Sequence, residues 1–196
     1  MNPESEEVFR STIATHIDTV RQLLDKIQVL SAIAEAMHTT LQTGGKILFC
    51  GNGGSAADSQ HLAAEFVGRF RRERTGLPSI ALTTDTSILT AVANDYGYEA
   101  VFSRQVEALA RPGDMLVGIS TSGNSPNVVA ALAKAREMGV ATVAFTGTGG
   151  GKMGPLADHS LAIDASETAR VQETHILAGH MLCDWIDLNW NREAKG

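Results

Sequence analysis

Downstream of Gly44-Gly45 the chain repeats one unit, a short apolar run followed by a stretch with helical periodicity. The runs cover residues 46–50, 79–83, 115–120, 140–146 and 159–163, and the helical stretches about 55–69, 86–94, 99–110, 126–138 and 168–188. Strands joined through helices pair in parallel, and parallel strands are covered on both faces. The alternation therefore predicts an α/β fold, a three-layer, doubly wound sheet of five parallel strands. Residues 8–37 stand outside the repeat. Phe9, Ile13, Ile17, Val20, Leu24, Ile27, Leu30, Ile33 and Met37 recur in steps of three and four, which predicts two helices or one broken helix. Residues 1–43 are thus read as a helical segment added to a single domain spanning 1–196. Its apolar stripe can either pack on the sheet or join copies of the chain.

With 196 residues, 43% hydrophobic and 19% charged, such a domain buries its core without metals or disulfides. Sixteen basic against 22 acidic residues give −6, and the basic cluster at 69–74 is interrupted by Phe70 and Glu73, so no nucleic-acid partner is expected. Cys50 and Cys183 lie in apolar runs without Cys-x-x-Cys spacing and read as reduced core thiols, which fits the cytoplasm. No apolar run approaches the length of a span, and the first thirty residues are rich in charge, so neither a signal peptide nor a membrane contact is expected.

Two strand-to-helix loops share a design. Residues 47–50 lead into Gly51-Asn52-Gly53-Gly54-Ser55, and residues 115–119 into Ser120-Thr121-Ser122-Gly123-Asn124-Ser125. Loops at the carboxyl ends of parallel strands form the ligand crevice of such folds, and helix N-termini attract phosphate. In the second loop Ser125 can cap the helix, with Pro126 as its first residue and no carboxylate in the first turn. In the first, Ser55 and Asp58 have capping-box spacing, and the acid would repel a phosphate. Phosphate is therefore assigned to Ser120, Thr121, Ser122 and Ser125, and sugar hydroxyls to Asn52, Gly53 and Ser55. The competing reading is of two ordinary Gly/Ser turns. A dinucleotide fingerprint at Gly51-x-Gly53-x-x-Ala56 lacks its acid about 20 residues on, since Asp85 comes too late, and no Gly-x-x-x-x-Gly-Lys-Ser/Thr is present.

His61 and Glu65, four apart on a predicted helix, share a face, as a surface ion pair or as ligands to one group. Gln172, Glu173, His175 and His180 crowd the last helix. Gln172 and His180 differ by roughly 80° around its axis and can converge only on something lodged beside it. His175 reads as a core or supporting histidine. If His61, Glu65, Gln172 and His180 meet, two imidazoles with two oxygen donors suit Zn²⁺. Asn94-Asp95 either ends its helix or offers an amide and a carboxylate to sugar hydroxyls.

Taken together, Gly51 to Asp58 leading to His61 and Glu65, then Asn94-Asp95, Ser120 to Ser125, and Arg170-Val171-Gln172-Glu173-x-His175 with His180 resemble the phosphoheptose isomerases of the sugar isomerase (SIS) fold, a flavodoxin-like architecture. The likeness runs from the N-terminal helices to the last helix. It implies a homotetramer that converts sedoheptulose 7-phosphate into D-glycero-D-manno-heptose 7-phosphate for bacterial surface heptose. It also implies substrate contacts from Asn52, Gly53, Gly54, Asn94, Asp95, Ser120, Thr121, Ser122, Ser125, Glu65 and Gln172, and one zinc per subunit held by His61, Glu65, Gln172 and His180. That chemistry needs a base and a partner acid/base, and Glu65 and His180 are the candidates. The alternatives are a non-enzymatic, replication initiator-associating relative, which lacks the carboxylate that Glu65 supplies, and an isomerase of another phosphosugar.

Overall fold

A computed structural model describes residues 2–193. Among them five strands, β1 (Ile47–Gly51), β2 (Ser79–Ala81), β3 (Met115–Ser120), β4 (Ala141–Thr146) and β5 (His159–Ala162), form one parallel sheet in the order β2-β1-β3-β4-β5. Ile47 of β1 is in register with Ser79 on one side and Met115 on the other. Every residue of β1 and β3 is buried, as two covered faces require. Alternate residues serve opposite faces. Phe49, Val117 and Phe145 pack with Ile33, Met37, Leu62, Phe66 and Ile186. Leu48, Leu116 and Ala144 pack with Val106, Val128 and Leu132. The first group comes from helices α2 (Ile27–Gln42), α3 (Gly54–Val67) and α7 (Thr168–Glu193), the second from α5 (Ser103–Leu109) and α6 (Pro126–Glu137). This is the expected three-layer doubly wound sheet. The edge strands β2 and β5 are shorter than their apolar runs, and α4 (Thr86–Tyr96) covers little, having no buried residue.

The N-terminal helix is broken, as its pattern allowed. Helix α1 (Pro3–Arg21) passes through a tight 3-10 turn at Gln22–Lys26 into α2. The apolar stripe divides at this turn. Leu30, Ile33 and Met37 are buried on the sheet, whereas Phe9, Ile13 and Leu24 are 61%, 59% and 73% exposed. Polar bonds hold α1 instead. His16 Nδ1 lies 2.7 Å from Glu173 Oε2, Arg170 donates to the Thr12 carbonyl at 2.9 Å, and the Gln22 amide pairs with the backbone of Asp164 at 2.7 and 2.9 Å. No helix among the described residues is long and apolar enough to cross a membrane.

Helix α7 lies directly on α3 because Gly179 has no side chain to intervene. A Cβ there would stand 2.6 Å from Leu62 Cδ2. This close approach brings the next residue, His180, against the face of α3 that carries His61.

Candidate active site

The strand order reverses between β1 and β3, so the chain leaves them toward opposite faces and opens a crevice at their carboxyl ends. Both glycine- and serine-rich loops border it. In the β3 loop Gly123, at φ 65°, turns the backbone, and the Gly123 N–H donates to the Ser120 carbonyl at 2.9 Å. Ser120 Oγ then lies 2.8 Å from Ser125 Oγ and 3.3 Å from Ser122 Oγ. Ser125 takes the N-cap position and Pro126 the first helical one, as expected, but the Ser125 hydroxyl faces Ser120 and makes no cap bond. The first turn of α6 contains no acid. Convergent hydroxyls at the positive end of a helix suit an anion.

A backing to this cradle escaped the sequence reading. A Cβ on Gly123 would stand 2.5 Å from the Gly150 carbonyl oxygen, one on Gly151 2.5 Å from the Gly123 oxygen, and one on Gly147 would overlap the Thr121 carbonyl. Asn124 Oδ1 accepts the Lys152 N–H at 3.1 Å. The glycine run at 147–151 is therefore the surface on which the cradle rests, and three successive glycines were its signal.

The β1 loop corrects one expectation. Gly53, at φ 54°, is itself the N-cap of α3, so the helix starts at Gly54 and Ser55 lies buried within its first turn. Asp58 forms no capping box, and its carboxylate accepts from Gln172 Nε2 at 3.2 Å. With no acid in its first turn, this helix end is no more closed to an anion than that of α6. What distinguishes the two is the convergence of hydroxyls on the β3 side.

The Asn52 side chain is locked in a reciprocal amide pair with Asn127, each Nδ2 donating to the other's Oδ1 at 2.9 Å. Tyr98 Oη donates to the same Asn52 oxygen at 3.1 Å. The oxygen is saturated, and Asn52 offers a ligand one N–H. Asn127, 2% exposed in the first turn of α6, and Tyr98 were both missed, because their partner is remote in sequence. Asn94 and Asp95 are exposed in the last turn of α4 and bond to each other at 2.8 Å. Among the described residues no hydrogen bond joins either to the loops. Gly97, at φ 86°, and not Asn94 is the C-cap. Asp85 caps the start of α4, accepting from the Ile88 N–H at 2.9 Å, and so is spent where a ribose-binding acid would be needed.

The acid and base candidates meet between α3 and α7. His61 Nε2 and His180 Nε2 are 2.8 Å apart, and Glu65 Oε1 is 3.5 Å from the same His61 nitrogen. The Phe70 ring stacks on His180, centroids 5.2 Å apart and planes 25° from parallel. Gln172 faces the same helix but nearer its start. A Cβ on Gly54 would overlap its amide, and its hydrogen bond goes to Asp58. Thus His61, Glu65 and His180 come together while Gln172 stands one step apart. Among the described residues no group of three or more His, Cys, Asp or Glu is arranged to hold a metal. Burial and the neighbouring His61 lower the pKa of His180, against the opposing pull of Glu65 and Asp58. Burial raises that of Asp58, partly offset by Gln172, His61 and His180. His175 is a core histidine, its Nε2 2.9 Å from the Thr146 carbonyl oxygen.

The SIS domain family matches residues 11–147. The chain is 55% identical over 191 residues to the phosphoheptose isomerase of Roseiflexus sp. (strain RS-1), covering 95% of this chain and 97% of that one. It is 64% identical over 155 residues to that of Nitratidesulfovibrio vulgaris (strain DSM 19637 / Miyazaki F), covering 79% and 74%. The solved phosphoheptose isomerase of Neisseria gonorrhoeae superposes with a TM-score of 0.88 at 47% identity, covering 93% and 98%. Fold, loops and whole-length identity agree, and the chain belongs to the SIS-domain family and, within it, to the phosphoheptose isomerases.

Proposed function

We propose that the chain converts sedoheptulose 7-phosphate into D-glycero-D-manno-heptose 7-phosphate, moving a proton between C1 and C2 through an enediol, and so supplies bacterial surface heptose such as that of lipopolysaccharide. The observation that carries this reading is the convergence of His61, Glu65 and His180 beside a crevice furnished with a hydroxyl cradle. Ser120, Thr121, Ser122 and Ser125 hold the phosphate at the positive end of α6. Asn52 donates to the sugar through its one uncommitted N–H, with the backbones of Gly53 and Gly54 beside it and Asn94 and Asp95 at the rim. Glu65 is the base at one carbon, and His180 is the partner acid/base. A lowered pKa suits His180 to a proton that must leave again.

His61, Glu65, His180 and Gln172 would hold one zinc per subunit. Two imidazoles, a carboxylate and an amide oxygen match the nitrogen and oxygen preference of that ion, but as placed they form no ready-made metal site, so the side chains would have to close around it. Gln172 gives its Nε2 hydrogen to Asp58, which leaves its amide oxygen for a ligand role. A zinc ion held there would supply polarisation of the substrate carbonyl. The enzyme works in the cytoplasm, where its two buried, free thiols stay reduced, as a homotetramer joined through the exposed apolar positions of α1. The test is turnover of sedoheptulose 7-phosphate by purified protein with and without chelator. Isomerisation that falls on chelation and returns with zinc is expected, and no isomerisation in either condition overturns the reading.

A further inference from the structure

Between α3 and β2, residues 68–78 form neither helix nor strand and carry Arg69, Arg71, Arg72 and Arg74. Arg69 and Arg71 are exposed, as a solvated arginine run would be, but Arg74 folds inward. Arg74 Nε and Asp187 Oδ1 are 2.7 Å apart, and the two side chains are 2% and 0% exposed. Asp187 also accepts the backbone N–H groups of Arg71 and Arg72 at 2.7 and 2.9 Å. Arg74 gives its remaining donors to the carbonyls of Glu65 and Phe66, each at 2.8 Å, of Thr75 at 3.0 Å and of Gly68 at 3.2 Å. One turn earlier on α7, Asp184 accepts from the Arg72 side chain at 2.6 Å. The guanidinium therefore binds the Glu65 and Phe66 carbonyls at the end of α3, the latter shared with the Leu77 N–H, and complements the dipole there. One of those carbonyls belongs to Glu65. Within the same segment, Phe70 lies flat on the ring of His180.

A buried ion pair returns little net stability once its desolvation is counted, whereas it fixes geometry strictly. We propose that the strap of residues 68–76 positions the acid/base pair. The Arg74–Asp187 pair fixes the end of α3 from which Glu65 projects, and Phe70 holds the ring plane of His180 so that Nε2 faces His61. None of the three touches a reacting atom. Each acts through Glu65 or His180, so the proposal rests on the isomerase reading above.

The test compares wild type with Phe70→Leu, which keeps apolar volume without a ring, Phe70→Tyr, which restores the ring, and Arg74→Lys, which keeps charge without the planar fork. Displacement of a catalytic group by about an ångström costs on the order of 10- to 100-fold, so Phe70→Leu is expected to lower kcat by that factor. KM and the inhibition constant of inorganic phosphate should stay within about threefold, and Phe70→Tyr should recover most of the rate. Arg74→Lys is expected to lose kcat while remaining folded by circular dichroism. Wild-type kcat in either Phe70→Leu or Arg74→Lys, or a loss no larger than the loss of folded protein, overturns the proposal. Crystal structures of wild type and Phe70→Leu supply a readout independent of substrate. A His180 ring turned away from His61 is expected, and an unmoved ring overturns the proposal even if another phosphosugar proves to be the substrate.

Discussion

His175 on α7 is 1% exposed, and burial holds its pKa at about 4 against an ordinary 6.5. The Thr146 carbonyl can only accept, so Nε2 carries the proton, while the buried Nδ1 has no hydrogen-bond partner among the described residues. The ring is neutral in the fold and regains its ordinary pKa on unfolding. Between about pH 4 and 6.5 the unfolded chain therefore binds a proton that the folded chain refuses, and stability falls as pH is lowered through that window. At a full slope of about 1.4 kcal/mol per unit, but with the unfolded ring only half protonated at pH 6.5, lowering the pH to 5 costs about 1.6 kcal/mol at this residue. Asp114 and Asp187 act at lower pH. Burial pushes both carboxyls up, but the bonds from Lys46 and Arg111 to the first, and from Arg71, Arg72 and Arg74 to the second, outweigh it and hold both below the usual range. Their stabilisation is lost only as pH falls through those depressed values. His180, also lowered, adds to the loss in the upper window, and Asp58, raised, opposes it. These groups are common to wild type and His175→Gln, which keeps a donor for Thr146 and removes the titration. Urea unfolding at pH 6.5 and pH 5, at one protein concentration, should show wild type losing about 1.6 kcal/mol more than the variant. Equal losses would refute the argument, because they would mean that the ring is protonated as readily in the fold as in water.

Glu65→Gln keeps the shape of the side chain and removes the proposed base, so isomerisation should vanish while light scattering shows the same assembly. Near-wild-type turnover would remove Glu65 from its role. Replacing Ser122 and Ser125 by Ala should raise KM for the sugar phosphate much more than it shifts the melting temperature, and unchanged kinetics would move the phosphate elsewhere. Gly179→Ala places a methyl group 2.6 Å from Leu62 Cδ2 and should destabilise by about 1–3 kcal/mol in urea. It should also cost activity through the displaced His180. Sedoheptulose without its phosphate should show a reduced kcat as well as a raised KM, since binding energy from the cradle is used at the reacting carbons. An unchanged kcat at saturation would contradict that coupling.

The sheet was legible because strands buried on both faces leave unbroken apolar runs, and its edges were misjudged where β2 and β5 stop pairing before those runs end. The hydroxyl cradle was legible because its residues are consecutive and their chemistry is local. The β1 loop was not. Ser55 and Asp58 have the spacing of a capping box, but only the positive φ of Gly53 decides where the helix begins, and that choice depends on how β1 meets its neighbours. The apolar period of α1 announced an amphipathic helix without saying which face the chain itself would use. It uses the polar one, through His16, Thr12 and Gln22. Asn127, Tyr98 and Phe70 act on partners 75, 46 and 110 positions away, and no local pattern marks such pairs.

The two ends of the site rest on different elements. The cradle belongs to β3 and α6, and the acid/base cluster to α3 and α7. Energy gained at a phosphate can act on a distant carbon only if these elements move as one body, since a loose joint would let the anion settle without orienting the sugar. Two contacts near the reversal of strand order supply that rigidity. The reciprocal Asn52–Asn127 pair ties the end of β1 to the first turn of α6 with two bonds of 2.9 Å. The Gln172 amide, pressed on the bare backbone of Gly54 and bonded to Asp58, ties the start of α3 to α7. Glycine at 54 and amides at 52, 127 and 172 thus serve a mechanical purpose. They join separate loops into one frame.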